Sequence, residues 1–141
     1  MTEAPTLPSL TLSTGCYSYM FASNVRLQKA PELPAKTLVG SCYKSMFSGC
    51  TSLTKSPDLP ATSVPVFAYA YMFQNCSSLS YISCSATSFS SSFSTTSWTN
   101  GVSSSGHFRC LVVDGVWSFG VSGIPEGWTY GPWEPLSPLV N

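Results

Sequence analysis

The chain is predicted to fold as an α/β solenoid, a short stack of 26-residue coils closed by a β-rich C-terminal cap. Two recurrences predict it. Met46-Phe47-Ser48-Gly49-Cys50 returns as Met72-Phe73-Gln74-Asn75-Cys76, and an earlier copy, Met20-Phe21-Ala22-Ser23-Asn24, carries Asn in place of Cys. A Pro-x-Leu-Pro element starts at Pro5, Pro31 and Pro57, with the same 26-residue offset. Aligned without gaps, residues 4–27 and 30–53 share eleven of 24 positions, and residues 30–53 and 56–79 share ten. About one or two would match by chance in ordinary composition. Fixed periods of this length mark stacked architectures, in which each unit buries its apolar side only against its neighbour.

Residues 1–105 are read as coils at 4–29, 30–55 and 56–81, with a degenerate fourth at 82–105. Within one coil, Tyr43, Met46, Phe47 and Cys50 fall at i, i+3, i+4 and i+7, one face of a short helix. Ser41 is its expected N-cap and Gly49 its expected stop. Leu53 opens an extended segment reaching Leu59, confined by Pro57 and Pro60, which have no N–H to give a sheet ladder. Each coil is therefore expected to run as short strand, Pro-rich turn and short helix. The fourth coil loses the motif and turns Ser/Thr-rich, but Phe89, Phe93 and Trp98 recur every four or five residues, which predicts a packed final coil rather than disorder. Residues 106–130 alternate apolar and turn residues and are read as the cap. Residues 131–141 are Pro-rich and are read as an extended tail, in which Trp133, Leu136 and Leu139 are candidates for docking on another chain.

Composition limits the function classes. The 141 residues are 43% hydrophobic and only 9% charged, with six basic and six acidic side chains cancelling. No basic patch favours nucleic acid. The first residues lack the basic and apolar regions of a signal peptide, and the longest apolar run, residues 64–73, is too short to span a bilayer, so a soluble protein without membrane insertion is expected. The neutral, hydroxyl-rich surface leans towards an extracellular or virion setting. Cys16 and Cys42 share a phase with Ala68, and Cys50 and Cys76 share one with Asn24. Exchange with Ala marks a small buried slot; exchange with Asn marks a turn whose backbone takes a side-chain partner. With no C-x-x-C pair, zinc is not expected. Cys84 and Cys110 lie outside the motif and are a candidate disulfide.

Little points to catalysis, and no cofactor is expected. The single histidine, His107, is read as packed or surface-lying rather than as a general base. Glu32 and Asp58 share a phase in adjacent coils, where paired carboxylates are a remote candidate for glycoside hydrolysis. Lys29 and Lys55 precede them by three residues, so a ladder of alternating charge is the simpler reading, with a polar binding strip as its functional version. Tyr17, Tyr43 and Tyr69 are expected in the core with hydroxyls at the rim. Tyr71 and Tyr81 break the repeat and are candidate exposed aromatics for glycan or protein contact.

The segment Met46-Phe47-Ser48-Gly49-Cys50-Thr51-Ser52-Leu53 resembles the BspA-type (Treponema pallidum-type) leucine-rich repeat. Residues 30–54 look like versions common in Bacteroides-type gut bacteria and their phages, and residues 98–108 with 122–129 are similar to the terminal cap of such proteins. The resemblance spans about residues 4–130. It implies a leucine-rich-repeat stack acting as a non-enzymatic, surface-displayed interaction or adhesion module with no catalytic residues. The low repeat number and the extra tail shift the expectation towards a phage fibre, decoration or tail-associated protein as well as a bacterial cell surface. The partner expected is a host-surface or virion protein, or a glycan, with oligomers through stacking or the tail; a glycan-binding module is the alternative reading.

Overall fold

The computed structural model describes residues 2–5, 7 and 9–132. Six short strands carry its sheets: β1 (Lys55–Leu59), β2 (Ser63–Val64), β3 (Tyr81–Cys84), β4 (Ser88–Phe89), β5 (His107–Arg109) and β6 (Thr129–Gly131). All pairing between them is parallel, in a four-stranded sheet ordered β1-β3-β5-β6 and a two-stranded sheet β2-β4. Among the described residues there is no helix. The α/β solenoid with one helix per coil is therefore corrected: the segment expected to be helical is a ribbon of consecutive tight turns.

Hydrogen bonding explains the difference. In the second coil, the N–H groups of Cys42, Met46 and Cys50 donate to the carbonyls three residues back, at Val39, Tyr43 and Phe47. The intervening N–H groups of Tyr43, Ser45 and Phe47 leave the coil and donate to Ala68, Ala70 and Met72 of the next one, at 3.1, 2.8 and 3.0 Å. Ser41, Ser45 and Gly49 hold positive φ (58°, 56° and 77°), each as the third residue of a turn, as a type II turn requires. A helix would have to bring those three residues back to negative φ. Serine competes poorly inside helices and glycine costs backbone entropy there, so local preference opposes the helix at these points. Ser41, expected to cap a helix, is thus a left-handed turn residue. The ribbon advances four residues per repeat, which places 42/43, 46/47 and 50 inward, all of them buried.

Stacking of these ribbons builds the core in files. Phe21, Phe47 and Phe73 lie in one file with ring centroids 5.7 and 5.8 Å apart and nearly parallel planes. Tyr17, Tyr43 and Tyr69 form a second, at 6.0 and 6.2 Å. Each such aromatic pair adds about 0.5–1.5 kcal/mol to the burial of its area. The Tyr69 hydroxyl does not reach the rim; it is buried with no hydrogen-bond partner. The thiols of Cys50 and Cys76 donate to the carbonyls of Phe21 and Phe47 in the preceding coil, at 3.1 and 3.0 Å. All six cysteines are free thiols, so the Cys84–Cys110 disulfide is not formed, although both residues are buried. Cys16, in the first coil, is exposed, because no earlier described coil covers it.

On the other side of the stack the strands alternate. Ile82, Cys84, Phe108 and Cys110 are buried in the core, while residues 81, 83, 107 and 109 take the opposite face. β1 carries one extra residue against β3, since Lys55 pairs with Tyr81 but Asp58 with Ser83. This bulge contains Pro57, which has no N–H. Ser56 fills the gap: its hydroxyl accepts from the Ser83 N–H at 3.1 Å. On the far edge of β1, no backbone hydrogen bond joins residues 28–35 to residues 54–61 among the described residues.

Trp98 closes the stack. Its indole lies on Tyr69 at 5.7 Å and on Phe73 at 5.9 Å, so one ring covers both aromatic files. Its Nε1–H donates to Gly123, and Trp117 stacks on it at 5.5 Å. The Trp128 Nε1–H returns to Ser103 at 2.8 Å. Gly106 lies so close to the Ser80 carbonyl and the Trp128 ring that a Cβ there would overlap both.

Candidate binding face

Two files of side chains run across the strand side. Register places Lys55, Tyr81, His107 and Thr129 in the first, and the Glu3–Lys29 bridge shares its 26-residue phase. Asp58, Ser83 and Arg109 form the second, with Glu32 in phase before them. Where the strands pair, from Lys55 and Asp58 onward, neighbours in each file lie about 4.8 Å apart.

The contacts within the files are specific. The Ser83 hydroxyl donates to Asp58 Oδ1 at 2.9 Å and accepts from Arg109 Nη1 at 3.4 Å, linking three strands. Lys55 Nζ sits 5.1 Å from the centre of the Tyr81 ring, and Tyr81 stacks on His107 at 6.3 Å. His107 Nδ1 lies 2.7 Å from Thr129 Oγ1. Lys29 pairs with Glu3 at 3.6 Å, both side chains largely exposed, a geometry worth at most about 1 kcal/mol.

Three shallow depressions follow one another along this face. The first, about 250 Å³, includes Glu3, Lys29, Pro31 and Glu32. The second, about 290 Å³, shares Pro31 and Glu32 and adds Pro57, Asp58 and Pro60. The third, about 260 Å³, shares Asp58 and adds Lys55, Tyr81, Ser83 and Arg109. Together they make one trough across successive coils.

Of the residues singled out from sequence, Lys29, Glu32, Lys55 and Asp58 come together here and are exposed. Tyr81 belongs to the same face but is buried rather than exposed, covered by Lys55 and His107. Tyr71 is half-buried on the turn ribbon, at φ 56°, and takes no part. Trp133, Leu136 and Leu139 lie outside the described residues. Ser83, His107, Arg109 and Thr129 were missed. For His107 and Arg109 the signal was the 26-residue phase itself, which runs from Tyr81 to His107 and from Ser83 to Arg109 after the Met-Phe motif has disappeared; Thr129, 22 residues after His107, falls outside it.

Ser83 is engaged by a carboxylate and a guanidinium, whereas the histidine faces a threonine. The buried thiols of Cys84 and Cys42 are poor nucleophiles: burial raises them to about 12 and about 11. Among the described residues, no group of three or more His, Cys, Asp or Glu could hold a metal ion, and no helix is long and apolar enough to cross a membrane. Comparison with family models, curated proteins and solved structures finds no match.

Proposed function

We propose that the protein is a non-enzymatic interaction module acting outside a cell, at a bacterial surface or as part of a phage particle, and that the strand-side trough holds a protein partner. The trough carries this reading. It crosses successive coils, and it presents both signs of charge, from Glu3, Lys29, Glu32, Lys55, Asp58 and Arg109, six of the twelve charged side chains of the protein. Charge order of this kind selects orientation and partner more than it adds affinity. The motif resemblance to BspA-type repeats supports a displayed setting.

The test is interferometry with the full chain against a panel of extracellular matrix proteins and purified phage structural proteins. Saturable binding to a panel member is expected, weakened at least tenfold by the paired reversal Lys55→Glu with Asp58→Lys and weakened by added salt. Absence of binding across the panel, or binding indifferent to that reversal, overturns the reading. Glycoside turnover that disappears in Glu32→Gln would replace it with the hydrolase.

A further inference from the structure

We infer that the chain carries a second binding site, for a neutral linear polysaccharide, in the hydroxyl-lined trough beside β2 and β4. This depression, about 480 Å³, is larger than any of the three on the strand face and shares no residue with them. Thr37, Thr62, Ser63, Ser88 and Ser90 line it with hydroxyls. No carboxylate lines it, and its one ionisable residue is Lys36.

Thr37, Ser63 and Ser88 lie in successive coils. Ser63 and Ser88 are register partners, with their hydroxyl oxygens 3.1 Å apart. Strand pairing spaces Ser63 and Ser88 at about 4.8 Å, comparable with the advance of one sugar ring in an extended chain. Each hydroxyl offers one donor and two acceptor sites; Ser63 and Ser88 bond to each other and Ser90 donates to the Val64 carbonyl at 3.5 Å, which leaves acceptor capacity on all three open. Phe89 and Pro65 add an apolar wall. Phe89 is half-buried and held edge-on against Trp117 at 5.0 Å, a rigid partner for the C–H face of a sugar ring.

Ligand chemistry follows from these groups. An apolar ligand would strip water from the hydroxyls without replacing its hydrogen bonds, at a cost. A phosphorylated or strongly acidic ligand calls for clustered cations or converging backbone N–H groups, and the trough offers Lys36 alone. A neutral polyol supplies matching donors and acceptors, and repetition along the stack favours a ligand that itself repeats.

The experiment is titration calorimetry of the full chain with neutral hexasaccharides of β-1,4-glucose, β-1,4-xylose and α-1,4-glucose, beside an acidic β-1,4-linked uronate hexamer. Saturable binding of at least one neutral hexamer is expected. It should weaken tenfold or more in Ser63→Val, whose β-branched replacement suits the strand. The strand-face reversal Lys55→Glu should leave it unchanged, which separates this site from the proposed protein-binding trough. Failure of every neutral hexamer to bind, equal binding by Ser63→Val, or preference for the uronate hexamer overturns the inference. Circular dichroism of Ser63→Val with an unchanged spectrum keeps its result interpretable.

Discussion

At the junction between the second and third coils, the turn-ribbon side is crossed by five backbone hydrogen bonds, from the N–H groups of Ser41, Tyr43, Ser45, Phe47 and Gly49. On the strand side of the same junction, among the described residues, none crosses. Proline accounts for much of the contrast. Pro31, Pro34, Pro57 and Pro60 occupy the facing segments and remove donors that a ladder needs. The ribbon, with its alternating N–H groups aimed along the stack, holds the coils together. The strand side has no such bond at this junction and takes up pairing only from β1 onward, through β3, β5 and β6; it keeps exposed charged residues and the trough. A division of labour results at this junction: the ribbon fixes the repeat, and the strand side can vary in what it presents.

The largest expected effect tests that division directly. Phe47→Ala removes a fully buried ring stacked on both Phe21 and Phe73 and should cost about 3–5 kcal/mol in urea unfolding. Asp58→Ala, on the exposed strand side, should cost less than about 1 kcal/mol. Equal losses would erase the distinction between the two sides.

Alkaline pH comes next and reports on both sides at once. Burial raises the thiol of Cys76, on the ribbon, and that of Cys84, on β3, from 9.0 to about 12 each. A thiol kept neutral in the fold but free to ionise in the unfolded chain favours unfolding as pH rises. Its contribution is intact below about 9 and is lost between there and about 12. For Cys84 this amounts to about 1.4 kcal/mol per pH unit across that window. The melting temperature should therefore fall between pH 8 and pH 10.5, and fall less in Cys84→Ala. An identical decline in that variant would place the alkaline sensitivity elsewhere.

A smaller effect, with the opposite sign, concerns the ribbon alone. The Tyr69 hydroxyl is buried without a partner, and burial pushes its ionisation well above the usual tyrosine value. Tyr69→Phe keeps the stacked file and removes an unsatisfied group, so it should stabilise by about 1 kcal/mol in chemical denaturation. Destabilisation would mean that the hydroxyl is satisfied in solution by a bound water.

Much of this was legible in the residues. Phe21, Phe47 and Phe73 stand in one file because their spacing repeats without gaps, and the Asn-for-Cys exchange at position 24 correctly marked a side-chain bond to a neighbouring backbone, made by Cys50 and Cys76. The four residues of the expected polar strip, Lys29, Glu32, Lys55 and Asp58, lie along one surface, and Tyr81 is buried on the same face. The misread helix has a simple cause. Inward pairs at 42/43, 46/47 and 50 fit a period of four as well as a period of 3.6, and nine residues are too few to separate them. Tyr81 was misread because nothing local reveals that Lys55, 26 residues earlier, lies over its ring.

The sequence by itself determined the 26-residue phase and the inward residues, since identical spacing of Pro, Leu, Met, Phe and Cys leaves one way to bury them against a neighbour. Only the tertiary structure decided where half of the backbone N–H groups in the ribbon go. A carbonyl 25 residues ahead competes with one four residues back, and it wins when the adjacent coil is already in place and positive-φ residues break the helical path. That competition is settled between coils, so no single coil's residues contain its outcome.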